Sequence, residues 1–217
     1  MRKSLLFVWA CMGLVCLMSA CKTSVKSKEW KLVWVEDFDQ KNSFDESVWT
    51  KIPRGTSDWN NYMSYYDSCY AMQDGNLILR GIANHTQKND TAPYLTGGVY
   101  TKGKKLFTGG RVEVCARLQA AKGAWPAIWM LPEKAEWPKG GEIDIMERLN
   151  HDRIAYQTTH SYYTHILGIK DNPPHGGINK INPEEYNIYS VDIYPDSLVF
   201  AVNHRHTSVS YTHLRAH

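Results

Sequence analysis

Gly141-Glu142-Ile143-Asp144-Ile145-Met146-Glu147 packs three carboxylates into six residues and interleaves them with large apolar side chains. An acidic surface loop draws on Gly, Ser and Lys instead. Here Ile143 and Ile145 alternate with Glu142 and Asp144, the period-two pattern of a strand with one wet face and one dry face. On a helix, at about 100° per residue, Glu142 and Glu147 would stand roughly 140° apart and could not share a ligand. On a strand Glu142 and Asp144 share a face, while Glu147 has the wrong parity. One extra residue, a β-bulge around Ile145-Met146, restores it, and bulges are enriched beside active sites. Three acids on one strand face repel each other, so a function is needed to keep them there.

Glycoside hydrolysis is such a function. It takes one carboxylate as nucleophile or base and one protonated carboxyl as general acid, on either side of the same bond. A carboxyl separation of about 5–5.5 Å gives retention and about 6.5–9.5 Å inversion. Four strand steps set the two Glu Cα atoms roughly 13 Å apart at about 3.3 Å per residue. Side chains leaning inward close much of that gap, and spacing alone does not choose the outcome. Asp144 between them would push the two pKa values apart. An acidic strand facing solvent, or a calcium site, is the competing reading of the motif by itself.

The upstream stretch Gly123-Ala124-Trp125-Pro126-Ala127-Ile128-Trp129-Met130-Leu131-Pro132 leads into the acids through Glu136-Trp137-Pro138-Lys139-Gly140. Together with Val33-Trp34-Val35-Glu36-Asp37-Phe38 and Lys102-Gly103-Lys104…Gly110-Arg111-Val112-Glu113, this resembles glycoside hydrolase family 16, the group of laminarinases, mixed-linkage β-glucanases and agarases. The resemblance runs from about Trp30 to about Thr207. It implies an all-β jelly-roll sandwich of two antiparallel sheets with a concave substrate cleft. It also implies a retaining double displacement, with Glu142 as nucleophile, Glu147 as acid/base and Asp144 as electrostatic helper. No cofactor is implied for catalysis, although a structural calcium is compatible with the family. The spacing looks like the laminarinase and agarase branch rather than the tighter ExDxE lichenases.

Substrate contacts follow from the same placements. Trp125 and Trp129 share parity on the strand before the acids, so one sheet face carries both rings; core packing is the competing reading, since Trp is mostly buried. The resemblance puts at least one ring in the cleft, puts His160 near the acid/base, and puts Asn61, of Trp59-Asn60-Asn61, at the cleft edge. A structural, hydrogen-bonded histidine is the alternative for His160. Two departures bear on specificity. Tyr62 stands where the laminarinase-like pattern has Glu, and Gly97-Gly98-Val99 where it has Arg, both at positions expected to touch sugar. The pattern is closer to lipoprotein-type mixed-linkage β-1,3-1,4-glucanases than to strict β-1,3-glucanases. Agarose- or carrageenan-type substrates, or a non-catalytic carbohydrate-binding surface lipoprotein, are the alternatives.

The rest of the chain reads as strands and turns. Apolar-alternating runs cover 32–38, 68–72, 76–82, 97–101, 111–118, 124–131, 142–147, 154–160, 188–194 and 198–202. Gln73-Asp74-Gly75-Asn76 and Tyr194-Pro195-Asp196-Ser197 are hairpin turns, and 168–183, rich in Gly, Pro and Asn, reads as a loop on the cleft rim. No long 3.6-period segment competes, which by itself argues sandwich or barrel. At 217 residues and 43% hydrophobic content there is one domain with a real core. A net charge of +3 is too mild to argue for a nucleic-acid partner, and no basic stripe stands out, so none is expected. The expected partner is β-glucan, and the expected state a monomer.

Met1-Arg2-Lys3 followed by an apolar run from Leu5 to Leu17 has signal-peptide form. Leu17-Met18-Ser19-Ala20-Cys21 resembles a lipobox, which makes residues 1–20 the signal, Cys21 the lipidated residue and 21–29 a polar tether. The mature protein is then extracytoplasmic and held by its lipid at the outer membrane, cell surface or periplasmic face. An ordinary secretory signal is the alternative. The domain spans 30–208. The tail 209–217, ending Tyr211-Thr212-His213-Leu214-Arg215-Ala216-His217, is similar to a translated sequencing-library adapter, an expectation under which the final strands are missing and the chain folds poorly. Cys69 and Cys115 are expected as free thiols, Cys115 on the charged face of its strand. His204 and His206 alternate on an expected strand, without a third ligand at sensible metal spacing.

Overall fold

Turn residues cut the chain into short strands, and two sets of four stack as a sandwich. The structure, a computed structural model, describes residues 30–40, 42–119, 121–169 and 176–211. The expected signal, Cys21, the tether 21–29 and residues 212–217 of the tail lie outside the described residues. From Leu32 onward the chain is one unit.

In chain order the strands are β1 (Thr50–Lys51), β2 (Tyr70–Gln73), β3 (Asn76–Leu79), β4 (Gly81–Ala83), β5 (Tyr94–Thr96), β6 (Val99–Tyr100) and β7 (Gly110–Ala116). They continue with β8 (Ala127–Met130), β9 (Glu142–Glu147), β10 (Ile154–His160), β11 (Gly176–Lys180), β12 (Asn187–Ile193), β13 (Ser197–Val202) and β14 (Arg205–Tyr211). One sheet runs β11-β10-β9-β8 and the other β14-β13-β12-β7, all antiparallel. Among the described residues the helices are α1 (Tyr162–His165) and a 3₁₀ turn at Asp67–Cys69. The expected all-β sandwich is therefore the fold.

Period-two patterning builds the core. Ala155 of β10, Val191 and Tyr189 of β12, and Leu198, Phe200 and Val202 of β13 all point inward and meet Ile145 and Met146 of β9. Along β10 and β13 their neighbours are less buried, the alternation of a sandwich strand, whereas on β12 Ser190 and Asp192 beside them are buried as well. Both anticipated hairpins form. Asp74 (φ 53°) and Gly75 (φ 69°) both take the left-handed conformation that a two-residue hairpin turn needs. Tyr194 N–H donates to Ser197 O to close the β12–β13 turn.

Three expectations are corrected. Residues 32–38 keep their alternation, with Trp34, Glu36 and Phe38 turned towards the domain, but join no ladder. A strand needs a partner at its edge, and the inward side chains are held instead by ring contacts of Trp34 with Trp49 and Phe107 and by Glu36 accepting from Trp49 Nε1. The stretch read as a rim loop contains β11, because Gly176 and Gly177 allow close approach; a Cβ on Gly176 would lie 2.6 Å from Gln157 O. His204 sits in the β13–β14 turn with φ 61°, not on a strand with His206. Cys69 is buried and Cys115 exposed, both as free thiols.

Candidate active site

The bulge expected in the acidic strand is present. Against β8, Ile128 pairs with Met146 but Trp129 with Asp144, so Ile145 has no counterpart. Against β10, Tyr156 pairs with Glu147 and Thr158 with Asp144, leaving Gln157 opposite both Ile145 and Met146. Two successive apolar side chains consequently turn into the core, Ile145 at 1% exposure and Met146 at 0%. The parity change brings Glu142, Asp144 and Glu147 to the outer face of one sheet.

Each glutamate carries an indole donor. Trp125 Nε1 donates to Glu147 Oε1 at 2.7 Å, and Trp137 Nε1 to Glu142 Oε2 at 2.7 Å. Asp144 lies between them, buried at the floor of the row. His160, the ladder partner of Glu142, brings its Nε2 to 3.2 Å from Asp144 Oδ2, an ion-pair contact when the ring is protonated. Burial first, and the Asp144 charge second, push both Glu142 and Glu147 above the usual carboxylate range. The contact with Asp144 raises His160, against the opposing effect of its burial.

Aromatic rings extend the face. Trp129, opposite Asp144, meets Trp59 edge to face with centroids 5.3 Å apart, so Trp125 and Trp129 both stand on the acid-bearing side, as their shared parity requires. Asn61 lies in the turn beside Trp59, where its N–H donates to Ser57 O. Trp59 reaches the row through its contact with Trp129, and Asn61 Oδ1 beside it is buried without a hydrogen-bond partner among the described residues. Tyr62 is exposed and packs against Tyr94 with centroids 6.1 Å apart. Gly97-Gly98 is different from the expectation of a sugar contact. A Cβ there would meet Cys69 O at 2.5 Å or Met63 Sδ at 2.9 Å, so this departure belongs to the interior.

Three contributors were not foreseen. Trp137 comes from the loop before β9, and its place immediately ahead of the acids was the available signal. His165 ends α1 and packs edge-on against Trp137 with centroids 4.4 Å apart. A reciprocal Ser161–Thr164 capping box directly after His160 positions that helix. Gln157 lies beneath the row and donates to Ile145 O at 2.8 Å. A hollow between Phe38–Gln40 and Met72–Gly75 contains none of these groups. No set of three or more His, Cys, Asp or Glu among the described residues is arranged to hold a metal ion.

The comparisons with known proteins agree with this geometry. Residues 84–177 match the family model described as XgeA-like, catalytic GH16 domain. The chain is 37% identical over 198 residues to a keratan-sulfate endo-1,4-beta-galactosidase of Sphingobacterium multivorum, covering 89% of this chain and 45% of that protein. It thus spans less than half the length of that relative. It is 30% identical over 200 residues to a beta-glucanase of Rhodothermus marinus, covering 87% of this chain and 68% of that protein. The laminarinase catalytic domain from Thermotoga maritima MSB8 shares the fold with a TM-score of 0.73 at 27% identity, over 86% of this chain and 79% of that one. With a bulged strand holding three acids on one face and a relative of this similarity matched along most of both lengths, the chain belongs to glycoside hydrolase family 16.

Proposed function

We propose that the chain is a retaining endo-β-glycanase acting on mixed-linkage β-1,3-1,4-glucan or β-1,3-glucan. The observation that carries this reading is the row Glu142, Asp144 and Glu147 on one open sheet face, each glutamate held by an indole N–H. An open face lined by aromatic rings suits a polymer bound in mid-chain, with apolar sugar faces on the rings.

In the first half-reaction Glu142 attacks the anomeric carbon while Glu147 gives its proton to the glycosidic oxygen. The carbon–oxygen bond breaks, the shortened polymer leaves, and the remaining sugar is esterified to Glu142. In the second, Glu147 takes a proton from water as the water oxygen displaces Glu142, which restores both groups. The division of roles has electrostatic support. His160 faces Glu142 across the ladder and contacts Asp144, so its ring, when protonated, places a positive charge at the nucleophile's end of the row. Burial and the charge of Asp144 raise Glu147, and they raise Glu142 as well, so they favour a proton in the row without choosing which glutamate holds it. The chemistry draws on the chain's own carboxyls and needs no cofactor.

Keratan sulfate, the polymer named for the S. multivorum relative, is the second reading, favoured by the 37% identity. Digestion of barley mixed-linkage glucan, laminarin, agarose and keratan sulfate, with product sizing and NMR of the first-formed anomer, separates these. Short β-anomeric products from a glucan are expected. Cleavage of keratan sulfate alone would move the assignment to an endo-β-galactosidase, and α-anomeric first products would overturn the retaining mechanism. Glu142→Gln is expected to remove nearly all turnover on the preferred polymer; undiminished turnover would overturn Glu142 as nucleophile, and polymer binding without cleavage by wild type and variant alike would leave only a binding protein.

A further inference from the structure

Gln157 is a long polar side chain with no exposed surface, in the middle of β10. Such an amide is costly in a core unless it is hydrogen-bonded, and here only its Nε2 is, with Oε1 buried and unpartnered among the described residues. Its Nε2 donates to Ile145 O at 2.8 Å and to Ala201 O at 3.2 Å. Two carbonyl acceptors identify that end of the amide as the donor end. Both carbonyls lie at breaks in the strand registers. Ile145 is the extra residue of the β9 bulge, and Ala201 stands where the β13–β14 pairing shifts between Phe200 and Ala201. Gln157 is itself the β10 residue that opposes two residues of β9. One amide therefore crosses between the sheets and ties an irregularity in each.

The location of the bulge decides which acids face the substrate, because each residue it moves along β9 sends one more side chain to the opposite face. An apolar residue at 157 would fill the same space without preferring one location. A donor aimed at the Ile145 carbonyl does prefer one. We propose that Gln157 is a positioning residue for catalysis: its amide holds the bulge at Ile145-Met146 and so sets Glu147 relative to Glu142 and Asp144. For its kinetic readout this rests on the glycanase reading above.

Gln157→Met keeps length and volume and deletes the donor. On the polysaccharide that the wild-type chain cleaves best, kcat is expected to fall by up to about 100-fold, the scale of an ångström-sized misplacement, with KM near the wild-type value. Carboxyl ¹³C NMR titration supplies a readout that needs no turnover, and the midpoint of Glu147 is expected to move in the variant. A wild-type chain silent on every polymer would count against the glycanase reading while leaving this second readout decisive. Gln157→Asn, too short to reach both carbonyls, is expected to lie between wild type and Met, and it decides the matter if the Met variant does not fold. Wild-type kcat together with an unmoved Glu147 titration in the folded variant, whatever its melting temperature, overturns the proposal and leaves Gln157 a polar group of the core.

Discussion

Two effects that act in the same direction, burial first and the Asp144 charge second, raise Glu147 above the usual carboxylate range. Its folded pKa lies above its unfolded one. Between those two values the folded chain binds more protons than the unfolded chain, so stability falls as pH rises through the window. The contribution is complete below the ordinary glutamate value and lost above the raised one. Gln at this position still accepts from Trp125 Nε1 and carries no charge to bury. Glu147→Gln is therefore expected to melt a few degrees above wild type at pH 8, with the difference closing towards pH 4. Equal melting temperatures at pH 8 would show that the folded site does not disfavour this charge. Under the proposed mechanism the same substitution removes the general acid, so stability and activity are expected to move in opposite directions at one side chain.

At the scale of the strand, parity matters more than composition. Deleting Ile145 leaves Glu142-Ile143-Asp144-Met146-Glu147, a regular ladder in which all three acids keep their face. Deleting Ile143 makes Glu142 and Asp144 adjacent and sends them to opposite faces. Each variant loses one isoleucine side chain, Ile145 from the buried core and Ile143 from its edge. The Ile145 deletion is expected to retain measurable turnover and the Ile143 deletion none; equal loss in the two would refute the parity argument. Parity is also what made this strand legible in advance, since alternation and the out-of-step Glu147 are local properties of six residues. Trp125 and Trp129 were legible for the same reason. Trp137 was not, because its bond to Glu142 depends on how a loop folds back over the sheet. Gln157 was not either, since its partners are main-chain carbonyls, one of them 44 positions away. The run 32–38 has the pattern of a strand and forms none, because pairing is decided by a neighbour and not by the run itself.

For the whole molecule, the two sheets share one core in which Tyr189 and Phe200 are the largest fully buried side chains. Phe200→Ala removes a ring from between the sheets and is expected to cost about 3–5 kcal/mol in denaturant unfolding, much of a typical domain's stability. A loss under about 1 kcal/mol would mean that the sheets close over the gap. The acids occupy the outer face of one sheet, while β7 borders the other and turns Arg111, Glu113 and Cys115 outward. Cys69 has no exposed surface, so among the described residues Cys115 alone offers its sulfur to solvent. A maleimide coupled there would attach a dye or a bead to the back of the sandwich, and a chain immobilised in that orientation presents its acids to polymer in free solution.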